Sequence, residues 1–231
     1  MEDRIDAGAL RVCLGPESGP ALALRGQVFR GGGDDRDGFD DQALHLTVAD
    51  GDRVFVCARV RLGEVCDSYS AQFYDLAGLS AMAGAKLELG RFCMAPGRHD
   101  ADALRLIWAM LTRVVDRQGV GMIYGCASFQ GVEAAPYAAA FADLGARHLA
   151  PLGWRPGMKA AETFSLQGFA ADPSQALRQL PPLLRSYLSI GGKVSDHAVI
   201  DRDLGTIHVF CGLEVASVPP ARAASLRRLA G

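Results

Sequence analysis

Apolar and polar positions alternate most clearly in ALHLTVADGDRVFVCARVRL, residues 43–62. Two runs of period two flank Asp50-Gly51-Asp52, which predicts a β-hairpin. LELGRFCM (87–94) reads as a third strand, and the weaker alternation of LRVCL (10–14) predicts an edge strand. The period changes to 3.6 in DADALRLIWAMLTRVVDRQG (100–119). There Leu104, Ile107, Trp108, Leu111, Val114 and Val115 fall on one arc of a helix, with Arg105, Arg113 and Arg117 opposite. Asp100 is placed to cap its N-terminus and Gly119 to end it. GPALALRGQVFR (19–30) and APYAAAFADLG (135–145) predict shorter helices, and GMIYGCASF (121–129) a buried strand. SQALRQLPPLLRSYLSIGG (174–192) reads as helix broken or started at Pro181-Pro182. VSDHAVI and TIHVFCGLEVASV close the chain as strands. GGGDDRDGFDDQ (31–42) has the composition of a mobile loop. The pattern predicts one α/β (α+β) domain over residues 1–231. It would hold a mixed, mostly antiparallel central sheet flanked by helices, with a helix–strand extension from about residue 170 to 231.

Composition narrows the function classes. Apolar residues make up 49% of the chain, enough for a core. The 24 basic and 26 acidic side chains nearly cancel, so no global field favours nucleic acid. Cys13, Cys57, Cys66, Cys93, Cys126 and Cys211 are scattered without a CxxC pair, which suits a reducing compartment and buried thiols. The five histidines and six cysteines never take metal-ligand spacing, so no metal is expected. MEDRIDAGAL does not read as a signal peptide, and no apolar run approaches the ~18 residues of a membrane span. The expected location is cytoplasmic.

The chemistry centres on LELGRFCM. In a regular strand Glu88 and Arg91, three residues apart, would point to opposite faces. A bulge at Gly90 would bring both to one face and leave a backbone N–H outside the ladder. A carboxylate beside such a donor suits acyl transfer to an amine. Glu88 would take the amine proton, and the N–H would stabilise the oxyanion. Arg91 would hold that carboxylate or bind a substrate carboxylate. Upstream, Asp37, Asp40 and Asp41 surround Phe39, a carboxyl-rich loop suited either to a cationic substrate or to an Asx turn. The segment APGRHDADA (95–103) does not fit the Q/R-x-x-G-x-G/A cradle that binds a coenzyme A pyrophosphate. A donor without pyrophosphate, an acyl chain on protein-bound phosphopantetheine, fits better. Arg98, His99, Arg105, Arg113 and Arg117 could offer a basic face to an acidic carrier protein, with Asp102 and Asp116 on the same arc. Leu183, Leu184, Tyr187 and Leu188, with Arg178 and Arg185 nearby, form a stripe that suits either core or a bilayer surface.

The order of hairpin, strand, helix and strand after an N-terminal helix is similar to that of GNAT-type N-acyltransferases. LELGRFCM, MIYGCASFQG (122–131), SYSAQFYDL (68–76) and PPLLRSYLSIGGKVSDHAVIDRDLGTIHVF (181–210) together resemble the ornithine lipid N-acyltransferases. The resemblance runs from about Arg25 to about Phe210. It implies a GNAT-like fold and transfer of a 3-hydroxyacyl chain from acyl carrier protein to the α-amine of L-ornithine, giving lyso-ornithine lipid. No cofactor would be bound, since the acyl group arrives as a phosphopantetheine thioester on the carrier. A lipid product implies peripheral contact with the inner membrane.

A more distant resemblance is to acyl-homoserine-lactone synthases, which take S-adenosylmethionine. Their polar set recurs as Arg25-x3-Phe29, Asp37-x2-Asp40, Arg61, Phe73 and Glu88-x2-Arg91, but the tryptophan usual between the first Phe and Asp is missing. The resemblance implies Glu88 as base, Asp37 next in line, and Asp40, Arg61 and Arg91 in the surrounding network. Asp75 and Ser128 would join the amino-acid pocket. Acylation of another amino acid such as glycine or glutamine, and a carrier-binding module without turnover, are the other readings.

Overall fold

The computed structural model describes residues 2–98 and 100–231. Its strands are β1 (Asp3–Ala7), β2 (Leu10–Gly15), β3 (Leu44–Asp50), β4 (Arg53–Leu62), β5 (Tyr74–Asp75), β6 (Ala85–Met94), β7 (Val120–Gln130), β8 (Gly157–Met158), β9 (Thr163–Ser165), β10 (Lys193–Asp201) and β11 (Thr206–Glu214). Its α-helices are α1 (Gly19–Phe29), α2 (Ala77–Ser80), α3 (Ala101–Gln118), α4 (Ala138–Arg147), α5 (Pro173–Gln179), α6 (Pro182–Ser189) and α7 (Pro220–Ala230). The chain divides into two compact units, each built from separated stretches. Unit 1 takes Met1–Leu62, Leu87–Val120 and Pro219–Gly231; unit 2 takes Gly63–Lys86 and Gly121–Val218.

In unit 1, β1, β2, β3, β4 and β6 pair antiparallel in that order. The predicted hairpin is present, and Gly51 takes the left-handed conformation (φ 57°) its tight turn needs. β2 is not the edge strand expected: residues 3–7 pair with it and take the edge. DRIDA lacks an alternating apolar pattern and was not legible as a strand. Helix α3 lies against β1–β3, and α7 covers α3. The predicted caps are in place. The Asp100 side chain accepts from Ala103 N at 2.9 Å, and Gly119 (φ 61°) is left-handed. The buried arc is rotated from the predicted one. Ala103, Leu106 and Met110 join Ile107, Trp108, Leu111 and Val114 in the core, while Leu104 and Val115 are half-buried.

On the other side of the sheet, α1 packs against β3 and β4. Its contact is a small apolar cluster: Ala21 and Leu24 against Cys57 and Cys93, with Val28 and Phe29 at the margin. The chain then turns back on α1, with the N–H groups of Arg30 and Gly32 donating to the Gly26 carbonyl (3.1 and 2.8 Å). The approach is so close that a Cβ on Gly26 would collide with the Gly33 carbonyl. This return places residues 31–42 above α1 and β4.

In unit 2, β7, β11, β10 and β9 form an antiparallel run, and β5 pairs with β8. A core of Tyr74, Leu76, Leu79, Met122, Tyr124, Trp154, Val199 and Phe210 lies on one face of β7 and β11. The break at Pro181-Pro182 separates α5 from α6, as the two prolines require. Of the apolar stripe of α6, Leu184 and Tyr187 are buried core, Leu183 and Leu188 are half-buried, and the helix rests on β11. Among the described residues, no helix is long and apolar enough to cross a membrane. Of the cysteines, Cys57, Cys93 and Cys211 are buried as expected, whereas Cys66 is exposed.

The Gly26–Gly33 contact is testable. Gly26→Ala should push residues 31–42 off α1, lowering unfolding free energy by roughly 1–3 kcal/mol. Urea unfolding measures this loss; an unchanged midpoint would show the contact to be slack.

Candidate active site

The site begins with the bulge on β6. The β4–β6 ladder pairs Cys57 with Cys93 but Arg59 with Gly90, so Arg91 and Phe92 face the single residue Ala58. The inserted position is Arg91, at φ 49°, one residue beyond the glycine the sequence singles out. Left-handed backbone at a bulky residue costs of order 1 kcal/mol or more, and persists where surrounding contacts over-determine it. Here the contacts are ionic. Arg91 Nε lies 3.1 Å from Asp35 Oδ2, and Nη2 lies 3.0 Å from Asp37 Oδ2. Gly90 itself leaves open space where a side chain would stand.

Arg91 joins an ion lattice over the α1 face of the sheet. The Arg25 guanidinium, wholly buried, donates to Asp35 Oδ2 at 2.8 Å, to Asp40 Oδ1 at 2.5 Å and to the Asp35 carbonyl at 2.6 Å. Arg30 donates to the other Asp35 oxygen at 3.0 Å. Arg59, with Phe39 over its guanidinium, donates to Asp37 and, at 3.3 Å, to Asp40. Burial alone would push the Asp40 carboxyl up. The Arg25 hydrogen bonds, the Asp37 backbone N–H and the Arg59 charge outweigh it and hold that carboxyl down at about 2. Burial likewise works against the Arg25 charge, but Asp40 and Asp35 raise its pKa overall. In this lattice Arg25, Arg30, Arg59 and Arg91 meet the carboxylates of Asp35, Asp37 and Asp40.

Glu88 lies beside this lattice. It is 3% exposed and stands directly across from Arg61, itself buried, in the β4–β6 register. Cross-strand partners share a face, so Glu88 and Arg61 stand next to the Arg59–Gly90 rung and its open space. Unit 1 therefore brings Asp37, Asp40, Arg61, Glu88 and Arg91 to one face of β4 and β6.

Three of the expected residues join the network beside Glu88. Asp40 has no exposed side-chain surface and is enclosed by Arg25 and Arg59. Arg91 lies against Asp35 and Asp37. Asp37 is held by Arg59 and Arg91 and accepts from Phe39 N at 3.0 Å, the Asx turn that its spacing allowed. Those bonds make it the bridge between two arginines.

Asp35 and His45 were not singled out in the sequence. Asp35 binds Arg25, Arg30 and Arg91. His45 is 2% exposed, neither ring nitrogen has a hydrogen-bond partner, and it stands across from Arg59. Burial pushes its pKa down; the Arg25 and Arg59 charges add to this and Asp40 opposes it. The hairpin register places His45 and Arg59 on one face, a signal available in the alternation of LHLTV.

The arginines expected to greet a carrier protein each have a carboxylate partner. Arg98 pairs with Asp50 at 2.9 Å and lies 3.5 Å over the Phe55 ring; Arg105 pairs with Asp102 at 3.0 Å. Arg113 and Arg117 both pair with Asp3 (2.7 and 2.6 Å), and Arg113 also donates to the Ala230 carbonyl. Arg113 is thus a tie between β1, α3 and α7 and not part of an open basic face. His99 lies outside the described residues.

Asp75 and Ser128 belong to unit 2. Asp75 is exposed on the wall of a cavity of about 460 Å³, together with Tyr74, Ser80 and Lys159. Ser128 is exposed on β7, directly across from His208.

Comparison with known proteins agrees with this architecture. Residues 24–109 match the model of the acetyltransferase (GNAT) domain family. The L-ornithine N(alpha)-acyltransferase of Rhodobacter capsulatus is 33% identical over 186 residues, which cover 75% of this chain and 72% of that protein. The enzyme of the same name from Agrobacterium fabrum is 30% identical over 156 residues, 65% of this chain and 53% of that one. Beyond the first relative, then, the chain spans about half the length of the proteins it matches. Among solved structures, the acyl-homoserine-lactone synthase LasI aligns over 94% of this chain and 95% of its own, with 11% identity and a TM-score of 0.41. By these matches the chain is an acyltransferase with a GNAT domain, and it belongs to the family of L-ornithine N(alpha)-acyltransferases.

Proposed function

We propose that this enzyme transfers a 3-hydroxyacyl chain from the phosphopantetheine of an acyl carrier protein to the α-amine of L-ornithine, forming lyso-ornithine lipid. The observation that carries the chemistry is the buried Glu88 carboxylate beside the β6 bulge, next to the open space over Gly90. The acceptor is read from the names of the relatives in Rhodobacter capsulatus and Agrobacterium fabrum.

The steps follow from these parts. An ammonium has no lone pair, so the α-amine must first lose a proton, which Glu88 accepts directly or through a water. The amine nitrogen then bonds to the thioester carbonyl carbon. The carbonyl oxygen becomes an oxyanion, met by a backbone N–H that the bulge frees from the ladder. Collapse of that intermediate breaks the carbon–sulfur bond. The phosphopantetheine thiolate leaves and takes up the second proton of the attacking nitrogen, so that a thiol departs and an amide remains.

The N-terminus of α3 supports a carrier-bound donor. In acetyltransferases that use coenzyme A, the peptide N–H groups of this region cradle a pyrophosphate. Here Asp100 accepts from one of those groups, and Asp102 sits in the same first turn. The Asp100 side chain occupies a peptide N–H that a pyrophosphate would need and leaves a neutral pantetheine arm unaffected. Arg105 and Arg117 remain more than half exposed within their ion pairs, and they are the residues left to face a carrier.

Glu88→Gln keeps the size and hydrogen-bonding shape of the side chain but removes the base. Turnover should fall by about 10² or more, with the midpoint of thermal unfolding little changed. Release of free thiol and formation of acyl-ornithine, followed together, measure this; near-normal turnover would move the base elsewhere. The donor is tested by offering one 3-hydroxyacyl chain on carrier protein and on coenzyme A. The carrier thioester should be strongly preferred, and equal kcat/KM for the two would remove the argument from Asp100. Thiol release with S-adenosylmethionine but not ornithine would make the chain a lactone synthase.

A further inference from the structure

We propose that Cys57 and Cys93 form a reversible dithiol–disulfide modification site at one end of the β6 bulge, oxidised by peroxides, and that the crosslinked enzyme is the less active form. The site lies wholly within unit 1.

The register is the first observation. Cys57 on β4 stands directly across from Cys93 on β6. Directly paired residues of an antiparallel ladder have Cα atoms about 4.5–5.5 Å apart, inside the span of about 4.4–6.8 Å that a disulfide bridges. The backbone spacing therefore admits the bond. The sulfurs are the second observation: Cys57 Sγ and Cys93 Sγ are 3.4 Å apart. A disulfide is about 2.05 Å long, so closing the pair takes roughly 1.4 Å of approach.

The surroundings set an order of events. Cys57 has no exposed surface, and its thiol donates to the Ala21 carbonyl at 3.6 Å. Contact with Cys93 and burial raise the Cys57 pKa, so it stays a thiol until its neighbour has reacted. Cys93 is 5% exposed and is the sulfur that a small oxidant meets. Hydrogen peroxide gives one oxygen to it: an S–O bond forms, the O–O bond breaks, and the thiol proton leaves in water. The Cys57 sulfur then displaces that oxygen. The S–S bond forms, the S–O bond breaks, and the Cys57 proton leaves with the hydroxyl as a second water. The two sulfurs give up two electrons and the peroxide takes them. Thiol exchange reverses the step, and burial slows both directions.

The consequence lies in the next rung. The bulge is bounded by Cys57–Cys93 at one end and by Arg59–Gly90 at the end nearer Glu88. Cys57 and Arg59, two residues apart, share a face. Ala21, which the Cys57 thiol reaches, is one turn before Arg25 on α1. Joining the sulfurs resets the spacing of β4 and β6 beside Arg91 and removes the S–H that holds Ala21. Both changes reach the ion lattice. A misplacement of about 1 Å can cost on the order of 10²-fold in rate.

The test uses the full chain and hydrogen peroxide. Oxidised protein is alkylated in denaturant without reductant, digested and read by mass spectrometry. Peptides joined through Cys57 and Cys93 are expected, and dithiothreitol should separate them. The crosslinked protein should unfold several degrees higher. Its turnover should fall about tenfold or more and return on reduction. Cys93→Ala should keep turnover and lose the response to peroxide, whereas Cys66→Ser, at an exposed cysteine, should leave the response intact. If oxidised, unmodified protein yields no joined peptide, the site is overturned. Full turnover by crosslinked protein, or an equal loss in Cys93→Ala, would overturn the switch. The joined peptide and the thermal midpoint need no substrate, so they stand if the acyl-transfer reading fails. Acyl transfer to ornithine that ignores the crosslink would keep that reading and sink the switch.

Discussion

The Arg25 guanidinium is the constraint on which unit 1 depends. Withdrawn from water on α1, it is tolerable only because Asp35 and Asp40 reach it from the following loop. Satisfying it draws that loop onto the sheet. Once there, the same two carboxylates, with Asp37 between them, also meet Arg30, Arg59 and Arg91. The strained Arg91 backbone and the bulge are held by these bonds. The geometry beside Glu88 thus traces back to one buried charge on a helix that does not itself enter the chemistry.

The regular elements were legible because their information is local. Asp100 and Gly119 mark α3, Asp50-Gly51-Asp52 marks the hairpin, and Glu88-x2-Arg91 around a glycine marks the bulge. What was not legible depends on partners far along the chain. Asp35 is one of several aspartates in its loop, and nothing nearby says that it meets Arg91, distant in sequence. Arg113 and Arg117 look like a free cationic stripe until Asp3 arrives from β1. The α6 stripe has the same pattern whether it faces lipid or β11. Asp201 and His208 lie in ordinary strands, and their bonds to Tyr69 and Tyr74, distant in sequence, are not marked by anything local.

The two polar regions solve opposite problems. The lattice in unit 1 is nearly self-compensated, and its many mutual bonds make it stiff. A rigid surround suits a group that must take a proton in a fixed geometry. The Asp201 face in unit 2 gives that carboxylate two neutral donors and leaves Thr206 Oγ1 and His208 Nε2 without partners.

The path of the chain carries a consequence for how the protein is made. Unit 1 is completed by its first strand, a middle helix and its last helix: Arg113 joins Asp3 to the carbonyl of Ala230. Synthesis runs from one end only. The opening strand must therefore wait, with its cation partners absent and then uncovered, until residue 230 has left the ribosome. Contacts of such long sequence separation are slow to close. Unit 1 therefore stays unfinished in a nascent chain until α7 has been made and can close on α3.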